Sequence, residues 1–479
     1  MGNHMRKDKK MYDILINCSY IITMDKERKI IPQGSIGIKD GCIENVGRKE
    51  VSPKAKKIIE GENLVAIPGL INCHTHVYQA LIEGIGYDMH FSPWNIQYLL
   101  PLVSHIGPEH SRASAELAAL EMIKSGTTTF SDHWYLHTDF SNIDEVARVF
   151  HQSGLRNHCV FGFLNESFAG WKKDTDTEMV KSEEALIDTA RNFIKKWHRK
   201  GRTIVALGPG STEDVSRDFF KKIVVFAKEM DVSVVTHIAG WIEIVSNSLK
   251  KYKMRDLEYA HSLGFTGKRA IVIHGVWLSN DEIKIIADTE TKVVHNPVAN
   301  MHLGYGIAPI TEMLSRGVTV GLGTDGAASY TYDMFEIGKT AAMLQKVKNL
   351  DAEAVTAEKV LEMLTIEGAK VLGMDSFTGS IEKGKRADII LLDFHNPNLM
   401  LGGKPVPKIV YSAKGSDVVT SIIDGKVVME NRKVLTIDEE SALRSAKKMQ
   451  DDLIKKAGQK TKNLLNSPWP HNKAAWRMS

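Results

Sequence analysis

The sequence predicts an α/β protein, a TIM (β/α)8 barrel with a small β-sandwich domain built from both chain ends. Three observations predict it. Eight β-rich apolar runs alternate with longer segments of helical period through the middle of the chain. Short alternating strands broken by Gly and Asp open the chain and return near its end. Polar side chains gather where the barrel runs stop, at the C-terminal ends that carry the chemistry of such a barrel. The expected division is residues 1–67 with 376–436 as a composite β domain, 68–375 as the barrel, and 437–479 as a helical tail.

The opening "YDILINCSYIITMD…GSIGIKDGCIENVG" has the alternation of a small antiparallel element. The residues before it lack the apolar stretch of a secretory signal, and "MGNHM" is compatible with an appended leader. The candidate barrel strands follow as "GLINCHTH", "TTTFSDH", "NHCVFGFLN", "TIVALGPG", "VSVVTHIA", "AIVIHGVWL", "KVVHNPVAN" and "VTVGLGTDG". Each is followed by a segment that can be helical. "PEHSRASAELAALEMIKSG" is one, with Leu117, Leu120 and Ile123 on one face and Gly126 placed to stop it. The β texture returns in "GSIEKGKRADIILLDF" and "VVTSIIDGKVVMENRKV". The closing "DEESALRSAKKMQDDLIKKAGQKTKNLL" reads as a charged amphipathic helix on a solvated surface.

Composition narrows the function classes. The 479 residues are 43% apolar and 25% charged, as in ordinary globular proteins. Lys and Arg (62) barely outnumber Asp and Glu (58), and they are dispersed, which gives little support to a nucleic-acid or membrane-surface role. No apolar stretch reaches the roughly 20 residues that span a bilayer. Cys18, Cys42, Cys73 and Cys159 are far apart with no CxxC pair, so they read as reduced core thiols in a cytoplasmic protein.

The chemistry-bearing residues sit at the strand ends. In "PGLINCHTH", His74 and His76 share one face of a strand, because side chains alternate. Asp132 and His133 end the second run, His237 the fifth, His274 the sixth, His295 and Asn296 the seventh, and Asp325 the eighth. Any one of these alone is more readily a satisfied core residue. Burying several ionisable groups together is costly unless they pair or bind a cation. His74, His76, His237 and Asp325 form a set suited to one divalent ion, zinc first and Fe(II) second, with a position left for water. Such an ion lowers the pKa of bound water to about 7. Asp325 would serve both as ligand and as the base taking the water proton, with His274 orienting the hydroxide or polarising the substrate. A lysine-carbamate two-metal site would need a lysine at the end of the fourth run, and "ALGPG" has none, so one ion is expected. Strand alternation aims Cys73 away from the shared face, so it is expected not to bind.

With these residues together, the chain resembles the amidohydrolase superfamily in its mononuclear, cytosine-deaminase-like branch. "PGLINCHTH" is similar to the family's HxH strand, "VSVVTHIA" and "IVIHGVWL" to its third- and fourth-histidine strands, and "GLGTDGAAS" to the strand of its metal aspartate. "HNPVANMHLGYGIAPI" and "GSIEKGKRADIILLD" extend the likeness over nearly the full length. Within the family, the triazine-processing group (atrazine chlorohydrolase, melamine deaminase, triazine hydrolase) is similar through "LGMDSFTGSIEKGKRADIILLD" and "IIDGKVVMENRK". The resemblance implies a metal-bound hydroxide attacking an amidine-like carbon of a nitrogen heterocycle and cleaving a C–N bond. It also marks a departure. Deaminating members usually carry Glu three residues after the fifth-strand histidine, and here that position is Gly240, with Glu243 three further on. An amide, urea, carbamate or thiocarbamate hydrolase, or a hydrolytic dehalogenase, is therefore the alternative reading. A second departure is Glu83, where relatives often carry Arg; it is expected to be solvent-exposed.

Trp94, His133, Trp134, Asn165, Trp241 and Asn300 are the candidates to line the substrate pocket, whose aromatic side chains point to a planar ligand. The expected partners are a small nitrogen-containing molecule and further copies of the chain, without nucleic acid or membrane. A catalytically silent scaffold is the contrary reading. Retention of His74, His76, His237, His274 and Asp325 speaks against it, since a silent site has no physical need for all five.

Overall fold

The computed structural model describes residues 11–49, 54–166 and 179–465. The chain opens with β1 (Met11–Ile22), β2 (Ile30–Lys39), β3 (Cys42–Arg48) and β4 (Lys54–Pro68). The barrel strands follow as β5 (Leu70–Thr75), β6 (Thr127–Trp134), β7 (Arg156–Phe163), β8 (Thr203–Pro209), β9 (Val234–Ile238), β10 (Ala270–His274), β11 (Lys292–His295) and β12 (Val320–Leu322). They are parallel neighbours in sequence order. With helices outside and packed side chains within, β5, β6 and β7 are buried on both faces, which is why these runs read as unbroken apolar stretches rather than alternating ones.

The barrel closes between its first and last strands. Thr75 bridges Asp325, the Asp325 amide donates to the His74 carbonyl at 2.9 Å, and the Thr75 hydroxyl donates to the Asp325 carbonyl at 3.0 Å. Asn72 adds to this: its Oδ1 accepts from the Thr324 amide at 3.1 Å and its Nδ2 donates to the Thr324 hydroxyl at 2.9 Å.

One expected strand is split differently. In "KVVHNPVAN" the strand stops at His295, and Pro297–His302 is a short helix. Proline fits the first helical turn, where its missing N–H goes unused.

The chain ends return as β13 (Ile389–Asp393), β14 (Val418–Ile423), β15 (Lys426–Glu430) and β16 (Lys433–Val434). They join the opening strands in one mixed sheet of order β16-β15-β14-β13-β4-β1-β2-β3. Ile16, Ile36, Ile38, Ile389 and Leu391 give this sheet its own apolar core. It is fixed to the base of the barrel by a buried ion pair at the start of β7: Arg156 Nε and Nη2 donate to the two oxygens of Asp388 at 2.7 and 3.1 Å. Thr378 and the Asp424 amide complete the carboxylate's hydrogen bonds, each at 2.7 Å.

The C-terminal helix, expected on a solvated surface, has one side packed. Glu439–Lys456 buries Ala442, Ala446, Met449 and Leu453. Its Asp452 meets His110 Nε2 at 2.9 Å, and Gln450 donates to the Leu81 carbonyl at 2.9 Å. Its apolar residues recur every three to four positions, which is the face that docks. Residues 466–479 of the expected tail lie outside the described residues.

Candidate metal centre and active site

His74 and His76 leave the end of β5, His237 lies on β9, and Asp325 follows β12. One donor atom from each of the four converges, all within 4.8 Å of one another, and all four residues are buried. The Nε2 atoms of His74 and His76 each approach His237 Nε2 to 3.2 Å, and they lie 3.5 and 3.4 Å from Asp325 Oδ1. Three nitrogens at that spacing repel unless something positive sits among them.

The hydrogen bonds behind the rings fix what faces inward. His76 Nδ1 donates to the His133 carbonyl at 2.8 Å, and His237 Nδ1 donates to the Gly210 carbonyl. Each therefore presents a bare Nε2 lone pair to the centre, the arrangement in which the outer N–H orients a metal-binding imidazole. Burial, reinforced by neighbouring imidazoles, holds His74 and His76 well below the usual histidine range and His237 at about 4. Neutral imidazoles with one carboxylate are a donor set for a single divalent cation.

His274 closes the group at the end of β10, its Nε2 3.7 Å from Asp325 Oδ2. Its Nδ1 donates to Asn300 Oδ1 at 2.9 Å. Burial lowers its pKa and Asp325 opposes that effect. Three non-glycine residues here sit in the left-handed region: Ala239 (φ 50°), His274 (φ 75°) and Asp325 (φ 66°). Such conformations cost energy and persist where surrounding structure enforces them.

Gly240 lies against this group. A Cβ there would stand 3.0 Å from His274 Cδ2 and 3.3 Å from its Cγ. Gly240→Ala is therefore expected to push the ring and lower kcat roughly 10-fold, since ångström-scale misplacement costs up to about 10². Metal content should be unchanged. An unaltered kcat would show that the position of His274 is not critical. Glu243, the other candidate to supply the family's acid, is exposed in the first turn of the helix Ile242–Tyr252 and is not among the cleft-lining residues.

Above the four clustered donors opens a cleft that is also lined by Leu99, Leu303 and Ala328. Of the expected lining residues, Trp94 and Trp241 are in its wall. Phe91 and Tyr305 flank Trp241 with ring centroids at 5.2 and 5.8 Å, forming an aromatic wall. His133 and Trp134 lie behind the surface: His133 stacks under His237 at 5.5 Å and donates from Nε2 to the Gly208 carbonyl at 3.2 Å, while Trp134 is wholly buried against Tyr78. Tyr135, one residue on, reaches the cleft instead. Asn300 acts from behind, on His274. Asn165 stitches a loop, its Oδ1 accepting from the Ser216 amide at 3.1 Å.

Other strand-end residues lie outside the four-donor cluster. Asp132 accepts from the Val77 amide at 2.8 Å, and burial raises its carboxyl to about 7. Both ring nitrogens of His295 are buried without a partner. Cys73 faces away from the ligands and donates to the Gly368 carbonyl at 3.7 Å. Glu83, expected in solvent, is half-buried. Burial and then Glu121 raise its carboxyl to about 7. Residue-by-residue reading missed Gln79, Tyr135, Ser211, Asp214 and Tyr305 in the cleft wall. The available signal for Asp214 was an acid just past the end of a barrel strand, in a loop on the catalytic side. No lysine or arginine lines the cleft among the described residues.

Comparison with known proteins follows the same lines. The pattern of the Amidohydrolase family matches residues 65–428. The 5'-deoxyadenosine deaminase of Methanobrevibacter smithii is 36% identical over 423 residues, 88% of this chain and 94% of that one. The 5-methylthioadenosine/S-adenosylhomocysteine deaminase of Thermoanaerobacter pseudethanolicus is 33% identical over 447 residues, covering 93% of this chain and all of that one (100%). Among solved structures, an adenosine deaminase from Xanthomonas campestris with bound zinc superposes with a TM-score of 0.88 at 25% identity, over 93% of this chain and 99% of that one. The zinc complex of the atrazine chlorohydrolase of Arthrobacter aurescens shares the fold, with a TM-score of 0.84 at 23% identity over 91% of this chain and 100% of that one.

Proposed function

The chain belongs to the amidohydrolase family, and from that premise we propose that it removes an exocyclic amino group, as ammonia, from a neutral purine-like ring. More broadly it is a metal-dependent hydrolase acting on a carbon–nitrogen bond, other than a peptide bond, in a nitrogen heterocycle. The observation that carries the narrower reading is the cleft itself. Its wall is aromatic, it lacks a cationic side chain among the described residues, and it ends on the His/His/His/Asp cluster. A flat, uncharged ring suits that lining, and relatives over a third identical act on 5'-deoxyadenosine.

We assign His74, His76, His237 and Asp325 as ligands of one divalent ion, zinc by analogy with the zinc-bound structural relative. Bound there, such an ion makes hydroxide available from water near pH 7. The chain's own side chains do the rest. Asp325 takes the proton from the attacking water. His274, anchored by Asn300, presents Nε2 beside Asp325 and orients the water through it. The aromatic wall holds the ring in plane. The absence of a side chain at Gly240 favours a second reading, hydrolysis of an acyclic urea or carbamate, which needs no ring protonation.

We further place the chain in a reducing, cytoplasmic setting as a homo-oligomer. All four cysteines are free, and Met343 and Val347 on the helix Met334–Asn349, with Leu350 just past its end, leave an exposed apolar strip. No helix among the described residues is long and apolar enough to cross a membrane.

The deciding experiment is a screen of zinc-loaded protein against aminopurine nucleosides including 5'-deoxyadenosine, N-alkyl triazines, ureas and carbamates. Ammonia and amine release are measured separately. Ammonia from an aminopurine nucleoside, with kcat/KM well above every acyclic substrate, is the expected outcome. Release confined to ureas or carbamates would replace the first reading by the second.

A further inference from the structure

One acid in the cleft has no part in holding the ion. Asp214 lies on the loop after β8, and its side chain lines the same cleft as His237, His274 and Asp325. The residue is 2% exposed, and its Oδ1 is buried without a hydrogen-bond partner. Ser211 bonds to the carboxyl through its backbone and its side chain, and the charge acting on it is another acid, Glu213; no cation offsets it among the described residues.

The backbone fixes the position of this residue. The amides of Asn165 and Glu166 both donate to the Asp214 carbonyl at 3.0 Å. At Gly210, a Cβ would fall 2.2 Å from Asp214 Oδ2 and 2.9 Å from the Tyr135 ring. The carboxyl occupies the room that a side chain at 210 would need. A glycine at one position thus admits an acid at another, while Gly240 leaves the β9 side of the cleft without one.

Resting on the deaminase reading above, we propose that Asp214 is the proton donor to the substrate, delivering its proton to the ring nitrogen beside the carbon under attack. As hydroxide derived from water adds to that carbon, the C=N π pair moves onto the nitrogen. The Asp214 O–H bond breaks and an N–H bond forms, leaving a carboxylate. Collapse of the adduct follows. Asp325 passes the water proton to the departing amino group and takes the hydroxyl proton as the C=O forms, and ammonia leaves. Exchange with solvent then returns one proton to Asp214 and removes one from Asp325. Burial first, and Glu213 second, raise the Asp214 carboxyl to about 8, so it carries its proton at neutral pH and gives it up readily. The titratable groups facing it are Glu213 on its own loop, Tyr135 beyond β6, and across the cleft His237 and Asp325.

Two measurements test this on zinc-loaded wild-type protein and Asp214→Asn. Infrared difference spectroscopy at pH 7, with purine riboside as probe, should show a protonated carboxyl band in wild type that the probe shifts and that Asp214→Asn lacks. Steady-state ammonia release from 5'-deoxyadenosine should show kcat lowered about 10²-fold in Asp214→Asn with KM within about threefold. The loss of wild-type rate above about pH 8 should disappear in the variant. A wild type without the band at pH 7, or a variant kcat within about threefold of wild type, overturns the proposal. A band that moves with the probe, while no aminated ring yields ammonia, leaves Asp214 as donor to a heterocycle and overturns deamination instead.

Discussion

Asp325→Asn is expected to lower kcat by about 10³-fold or more while leaving the fold in place. Loss of a general base alone costs roughly 10²–10⁴, and an amide is also a poorer ligand than a carboxylate. The fold should survive for a local reason. Asp325 holds a left-handed backbone (φ 66°), which Asn adopts as readily as Asp. Its closure contacts run through the backbone amide and carbonyl, which the substitution does not touch. Circular dichroism and metal content on the same preparation as the rate separate a lost base from a lost ion. Turnover within about tenfold of wild type, far short of the 10²–10⁴ a general base supplies, would contradict the role of Asp325.

The largest stability effect is expected at the foot of β7. Arg156→Ala should lower the free energy of unfolding by about 3–5 kcal/mol, because it strands a buried carboxylate. Asp388 is 3% exposed, and burial alone would raise its pKa; the Arg156 guanidinium and the bonds from Asp424 and Thr378 win and hold it below the usual carboxylate range. A depressed folded-state pKa stabilises above the unfolded value. That contribution is lost as pH falls through the folded one, so the pair no longer stabilises the protein in strong acid. The urea midpoint should shift at unchanged slope. The double variant Arg156→Met, Asp388→Leu is expected to recover much of the loss, since an apolar pair removes both desolvated charges. A single variant within about 1 kcal/mol of wild type would show that the two sheets do not depend on this pair.

Much of the candidate ion site was legible in the sequence, and the cleft wall was not. His74, His76, His237 and Asp325 share a rule that strand order alone can apply: each stands where a barrel strand stops. The wall depends on loop shape. Trp134 and Tyr135 are adjacent aromatics, and only the exit angle after β6 decides that one is buried and the other reaches the cleft. Asp214 escaped because the end of the fourth strand was read for a lysine, and its role depends on Gly210 being small. Asn300 was read as a pocket residue, yet it bonds to His274, a partnership that β10 and the short helix after β11 create only by packing side by side.

Closure of the barrel carries a last consequence. The first and last strands meet through Asn72, His74, Thr75, Thr324 and Asp325, so two of the residues that would grip the ion, His74 and Asp325, also help to buckle the ring. A bound cation would then act as a rivet across that seam, and amide hydrogens along β5 and β12 should exchange faster once it is chelated away. Natural variation cannot easily retune such a joint without loosening the whole ring. New substrates would be acquired through the flanking loops, and this chain's departure at Gly240 falls in one of them, between β9 and the helix that follows.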